Sequence, residues 1–267
     1  MSSSGEPPRR TDVRELTAAD HRRILAIAAD EVPDVLLLLG VFDVYEGAAR
    51  FAAYLDDARY MRNARKGLPS WLGHSHGLKV AVAGSFGGPM AAMHAHSWIA
   101  AGTPTVVQLG WYGALQPGSG LGDVIVPRHA ERQDGVSDWY LPKGILADAT
   151  PALASAIAAN LIAAGVAVNE RAIYTTPALL AESREVIADW SRHGYHGVDM
   201  ETAATFAVAK HLGAERAAAL IRFDDLINEE HSMAEELKAE HLGVLRGREP
   251  QVVDAVLTAV GARKAQS

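Results

Sequence analysis

Six short apolar runs constrain the fold of this chain more than any other feature: DVLLLLG at residues 34–40, KVAVAG at 79–84, TVVQLG at 105–110, DVIVP at 123–127, RAIYTT at 171–176 and AAALIRF at 217–223. They are too short to span a membrane and lack the polar alternation of a half-exposed strand. Strands covered on both faces read this way. Between them lie stretches with helical periodicity at residues 44–57, 89–102, 151–165, 182–194, 201–213 and 249–260, and Thr17 with Asp20 forms a capping-box pattern opening a further helix over 21–29. Strands alternating with helices predict a three-layer α/β fold around a largely parallel or mixed sheet.

The 267 residues, 49% of them hydrophobic, suffice for one large domain, which we place at residues 15–262 behind a flexible tail at 1–14; the last residues, 263–267, are expected to fray. A net charge of −7 argues against nucleic-acid polymers and anionic membranes as partners. The chain has no cysteine, so it has no disulfide, thiolate nucleophile or Cys-ligated metal. The polar start, with Pro7 and Pro8, lacks the apolar centre of a signal peptide, and no run reaches a membrane-spanning length; a cytoplasmic protein is expected. His94 and His96 fall on different faces of a helix, while His74 and His76 share one face if that segment is a strand. No third ligand accompanies either pair, so no metal is expected. Walker, G-x-S-x-G and full G-x-G-x-x-G patterns are absent, and no cofactor is expected.

In sheets of this kind ligands sit at the carboxyl ends of strands. Those ends carry Gly40, the loop GSFGGP at 84–89 with Ser85, and GWYG at 110–113. In GVDMET at 197–202, Asp199 and Glu201 point to one side of an extended segment and Met200 to the other. Glu201 is either a first-turn acid favoured by the helix dipole or an acceptor for the vicinal hydroxyls of a sugar. Asp224 and Asp225 end a strand expected beside that segment. Two adjacent acids at a partly buried strand end raise one pKa, as suits a general acid, or else they cap a turn.

GSFGGPMAA, TVVQLGWYGALQPGSGLGDVIVP, ERQDGVS, GVDMETAATFAVAKHLGA and IRFDD, in this order between about Asp34 and His231, resemble the nucleoside phosphorylase and nucleosidase superfamily of the purine nucleoside and uridine phosphorylases. The resemblance implies a three-layer α/β/α sandwich with a central mixed sheet, homo-oligomers from dimer to hexamer, and cleavage of the N-glycosidic bond of a small nucleoside-like substrate. It puts Glu201, Met200 and Asp199 at the ribose and gives Asp224 or Asp225 the proton donated to the leaving base; both remain open. Trp111, Tyr112, Gly113, Leu179 and Arg222 then fall at the base or ligand pocket.

The phosphate seat departs from the family pattern. Gln108 and Trp111 stand where the family has an Arg and a Ser or Thr. A neutral amide lacks the charged fork of a guanidinium. Gly40 and Ser85 persist, and Arg65 or Lys66 keeps a cation that the family supplies from a neighbouring subunit. Water is accordingly expected as the nucleophile in preference to phosphate. The alternatives are a phosphate-dependent phosphorylase of the uridine or purine type and a non-catalytic or repurposed member, for which Trp111, Tyr112, Trp139 and Tyr140 would form an aromatic pocket.

Overall fold

The structure, a computed structural model, describes residues 12–61, 69–228 and 239–266. Chain order is α1 (Ala18–Leu25), β1 (Val35–Gly40), α2 (Val44–Ala52), β2 (Asp56–Met61), β3 (Ser70–Ser75), β4 (Leu78–Ser85), α3 (Gly88–Ala101), β5 (Thr105–Ala114), β6 (Val124–Ile125), β7 (His129–Arg132), β8 (Ala147–Asp148), α4 (Pro151–Ala163), β9 (Val168–Asn169), β10 (Ile173–Thr175), α5 (Arg184–Arg192), β11 (Gly197–Asp199), α6 (Thr202–His211), β12 (Glu215–Asp225) and α7 (Ala239–Lys264).

β1 shows why these residues make these layers. Val35, Leu37 and Leu39 enter one core and Leu36 and Leu38 the other, all fully buried. A run without a polar position is what burial on both faces requires, and each leucine contributes about 1.5–3 kcal/mol by leaving water. The first core is completed by Phe51 of α2, Ile157 of α4 and Val256 of α7; the second by Leu25 of α1, Trp98 of α3 and Val208 of α6. The result is the expected α/β/α sandwich. Helix starts follow local chemistry: Thr17 and Asp20 form the capping box of α1, Asp43 accepts from the amides of Tyr45 and Glu46, and Pro89 and Pro151 occupy first turns.

The sheet is mixed. Its path runs β2-β3-β4-β1-β5-β11-β10-β7-β8, with β12, β6 and β9 branching from β5. β5 pairs parallel with β1 through Leu109 and Gly110, then antiparallel with β11 at Gly113 and Ala114, while β12 runs along its whole opposite edge. β11 and β12 therefore flank β5 from opposite sides instead of lying side by side as the sequence led us to expect. Gly113 faces Val198 across one edge and Asp224 across the other, so the two acidic segments still meet around the end of β5.

Several other expectations are corrected. The helix foreseen to residue 57 ends at Ala52, because residues 56–61 turn back as β2 against β3. His76 is not on a strand: with φ of 53° and Gly77 at 70°, it forms the two-residue turn joining β3 to β4. The last helix starts at Ala239 and carries Pro250 inside it, and it remains ordered to Lys264, with Arg263 paired to Glu215 and Lys264 to Asp34. Residues 1–11 of the expected tail lie outside the described residues, and from Asp12 the chain forms a 3-10 turn, Val13–Glu15. Among the described residues no helix is long and apolar enough to cross a membrane.

Candidate active site

A cleft opens at the carboxyl ends of β1, β5 and β12, beside the β11–α6 junction. Its walls include Gly40, Trp111, Tyr112, Gly113, Leu179, Asp199, Met200, Glu201 and Asp224 from the sequence reading, together with Phe42, Phe86, Glu182 and Phe223. Four of these residues are carboxylic acids, and no described Lys, Arg or His lines the cleft.

Glu201 closes β11 against α6. Its Oε1 accepts from the Gly87 amide at 2.6 Å, and Gly87 reaches that position with φ of 81°. Its Oε2 lies over Gly40, where an added Cβ would come within 2.4 Å. Gly40 thus leaves room for the carboxylate. Asp199 is more fully satisfied: Thr175 Oγ1 donates to Oδ1 at 2.7 Å, and the amide and hydroxyl of Thr202 donate to Oδ2 at 2.8 and 2.5 Å. It caps α6, and its carboxylate is spent on that task. Burial pushes both acids upward; three donors resist this at Asp199, whereas burial and the Asp199 charge lift Glu201 to about 8. Met200 lines the cleft between them, its Cε near Gly87.

The acids of β12 are separated by a bulge. Arg222 pairs with Tyr112 and Asp224 with Gly113, so Phe223 is the extra residue between them. Phe223 and Asp224 both line the cleft, while Arg222 and Asp225 do not. Arg222 Nη2 instead holds Asp225 Oδ2 at 2.9 Å, with both residues buried. Asp225 also accepts from the amides of Ile227 and Asn228 and from Asn228 Nδ2. Burial works to raise Asp225, but the Asn228 bonds and the Arg222 charge outweigh it and hold the group below the usual carboxylate range. Asp224 receives no such donors from other described residues, and burial lifts it to about 7 against the pull of Arg222. Asp225 is a turn cap; Asp224 is the acid that faces the cleft.

Three residues of the expected phosphate seat lie together, Ser85 beside Gly40 in the ladder and Gln108 Nε2 next to Gly40, but the two side chains are turned to other partners. Gln108 is fully buried, with Nε2 donating to Leu109 O at 3.1 Å and Oε1 accepting from Thr205 Oγ1 at 2.7 Å. Ser85 is fully buried and donates its hydroxyl to Leu39 O at 3.0 Å. Neither lines the cleft, whereas Gly40 does. Arg65 and Lys66 lie outside the described residues. Trp111 stacks on Phe223 with ring centroids 5.1 Å apart, and Phe42 lies against Phe86 at 5.4 Å. Tyr112 borders the cleft, but its ring is packed against Gly197, and burial raises its hydroxyl to about 12. Trp139 and Tyr140 take no part: Trp139 is 86% exposed, and Tyr140 packs against His96 and His211. The aromatic pocket envisaged from Trp111, Tyr112, Trp139 and Tyr140 does not form, since only the first two reach the cleft.

Residues 35–258 match the profile of the phosphorylase superfamily. The chain belongs to that superfamily. Its relatives include the purine nucleoside phosphorylase DeoD-type of Roseobacter denitrificans, 27% identical over 80% of this chain and 91% of that one. The guanosine phosphorylase of Halorubrum lacusprofundi is 31% identical over 52% of this chain and 57% of its own. The uridine phosphorylase of Haemophilus influenzae is 32% identical, but over only 35% of this chain and 37% of its own. Among solved structures, uridine phosphorylase from Vibrio fischeri superposes with a TM-score of 0.76 at 20% identity, covering 88% of this chain and 95% of that one, which establishes the shared fold. Within this superfamily member, sequence reasoning missed Glu182 and the aromatic residues Phe42, Phe86 and Phe223. The available signal for Glu182 was an acid in the loop after β10, at a strand's carboxyl end, where the reading stopped at Leu179.

Proposed function

We propose that this chain cleaves the N-glycosidic bond of a nucleoside or nucleoside-like compound, with water in preference to phosphate as the nucleophile. One observation carries the preference: the cleft presents Asp199, Glu182, Glu201 and Asp224 and no described cation. A bound phosphate would find no described cation in the cleft to neutralise it. A sugar passing through an oxocarbenium-like state brings positive charge instead, which those of the acids that are ionised stabilise.

In this reading the Glu201 carboxyl, held by the Gly87 amide and seated over Gly40, binds the sugar hydroxyls with Met200 beneath the ring. Asp224, lifted to about 7, carries its proton far above the usual carboxylate range, up to about neutral pH. As the C1′–N bond breaks, its electron pair leaves with the ring and the ring nitrogen takes that proton. Water adds its oxygen to C1′ and releases a proton. Trp111 and Phe223 offer a stacked apolar wall to the planar base.

Phosphorolysis is the second reading, and the names of the relatives favour it. Base release from purine and pyrimidine nucleosides, measured with and without inorganic phosphate, separates the two. Release in phosphate-free buffer at an unchanged rate is the expected result. A rate that rises and saturates with phosphate would refute the hydrolytic preference. We extend the reading to a cytoplasmic homo-oligomer acting on small molecules, supported by the superfamily membership and the acidic charge; sedimentation analysis tests the assembly.

A further inference from the structure

Glu182 is the one acid of the cleft that has neither a task in the proposed reaction nor a structural one, since Asp199 caps α6. It follows the 3-10 turn Leu179–Ala181 and enters the cleft beside Leu179. Its Oε1 is sealed from solvent and accepts no hydrogen bond from any described residue. Asp199 and Glu201, in the same cleft, both receive donors. A sealed carboxylate oxygen without a donor is unfavourable in the empty cleft. A ligand that brings a donor removes that deficit.

The surroundings say which donor. Burial lifts Glu182 to about 7, and the charge of the nearby Asp224, once ionised, adds to that rise. The cleft walls are flat aromatic faces, Trp111 on Phe223 and Phe42 on Phe86. They suit a planar ring whose edge then meets the carboxyls. Above about pH 7, where Glu182 is ionised and can only accept, a ring edge rich in carbonyl oxygens would set acceptors against acceptors. An edge bearing N–H groups would satisfy Glu182.

We infer that Glu182 reads the leaving ring by accepting hydrogen bonds from N–H donors, so that the cleft selects amino-substituted nitrogen heterocycles over carbonyl-rich ones. The assignment of that ring as a leaving group rests on the N-glycosidic reading above; its recognition does not.

Titration calorimetry with free rings therefore tests the inference without turnover. Adenine and 2-aminopurine are compared with unsubstituted purine, from which each differs by one amino group, on the full wild-type chain and on Glu182→Gln and Glu182→Leu. The wild type should bind at least one aminopurine on the order of 10- to 100-fold more tightly than purine, the worth of a hydrogen bond to a charged acceptor. Both substitutions should reduce that preference to a few-fold, and Glu182→Leu should unfold no more easily than wild type. If Glu182→Leu fails to fold, the near-isosteric Glu182→Gln carries the comparison. A wild type with no preference for either aminopurine, or a preference that survives substitution, overturns the inference. Failure to cleave any nucleoside would overturn the proposed reaction and leave this comparison readable.

Discussion

Replacing Asp224 by Asn should abolish activity and at the same time stabilise the protein above neutral pH. The catalytic half follows from its role. Loss of a general acid costs about 10²–10⁴ in rate, roughly 3–5 kcal/mol of transition-state stabilisation. The stability half follows from its burial. Asp224 is raised from 3.8 to about 7 in the fold, chiefly by desolvation. Between those two values the native state binds more protons than the unfolded chain, so its stability falls as pH rises. At about 1.36 kcal/mol per pH unit the full displacement is worth about 4 kcal/mol, lost by pH 8 and only partly lost at pH 5. Asn carries no charge at any pH and escapes the loss. Urea unfolding of wild type and Asp224→Asn, at equal protein concentrations, should therefore show the variant gaining about 2–3 kcal/mol more at pH 8 than at pH 5. The alkaline limb of the wild-type pH–rate profile, where Asp224 loses its proton, should vanish with the residue. A variant that unfolds more easily at pH 8, or that keeps more than about a tenth of wild-type turnover, would refute the assignment of Asp224 as a buried, protonated acid.

Gly40→Ala should push the Glu201 carboxylate off its seat, since the new Cβ would lie 2.4 Å from Oε2; the expected signature is a KM for nucleoside raised about tenfold or more, read by base-release kinetics. Thr205→Val leaves Gln108 Oε1 buried without its donor and should lower stability by about 1–3 kcal/mol in urea titration while leaving substrate preference intact. Arg222→Met removes the charge that opposes burial at Asp224, so the pH at which activity falls off on the alkaline side should move upward, and Asp225, which keeps its Ile227 and Asn228 donors, should lose about 1–3 kcal/mol of unfolding free energy with its charged partner.

What the sequence made legible is what short-range pattern controls. β1 is visible because five consecutive apolar residues have no alternative to burial on both faces, and α1 is visible because Thr17 and Asp20 satisfy its first amides locally. β2 is invisible for the converse reason. Asp56, Asp57, Ala58, Arg59 and Tyr60 are all exposed, and the strand exists only because β3 offers an edge to pair with. The turn at His76 and Gly77 escapes notice because His is an unusual residue for positive φ, where Asn or Asp would have signalled a hairpin.

The site divides along the same line. Glu201 and Gly40 are readable as chemistry, but the choice between Asp224 and Asp225 turns on a bulge that no residue type announces. In a regular strand Arg222 and Asp224 would share one face and Phe223 and Asp225 the other. One extra residue in the β12 ladder brings Phe223 and Asp224 to the cleft together and sends Arg222 to Asp225. That exchange sets both protonation states: the acid left with the guanidinium and the turn amides stays ionised, and the acid turned into the aromatic cleft keeps its proton. The same displacement accounts for the apolar wall, since Trp111 finds Phe223 at stacking distance only because the bulge has turned it inward. The bulge in β12 is therefore the step that sets Phe223 beside Asp224 in the cleft; deleting Phe223 should remove the stack on Trp111 while leaving Asp224 opposite Gly113 and on the face away from Arg222, so that base binding weakens but the alkaline fall in the pH–rate profile persists.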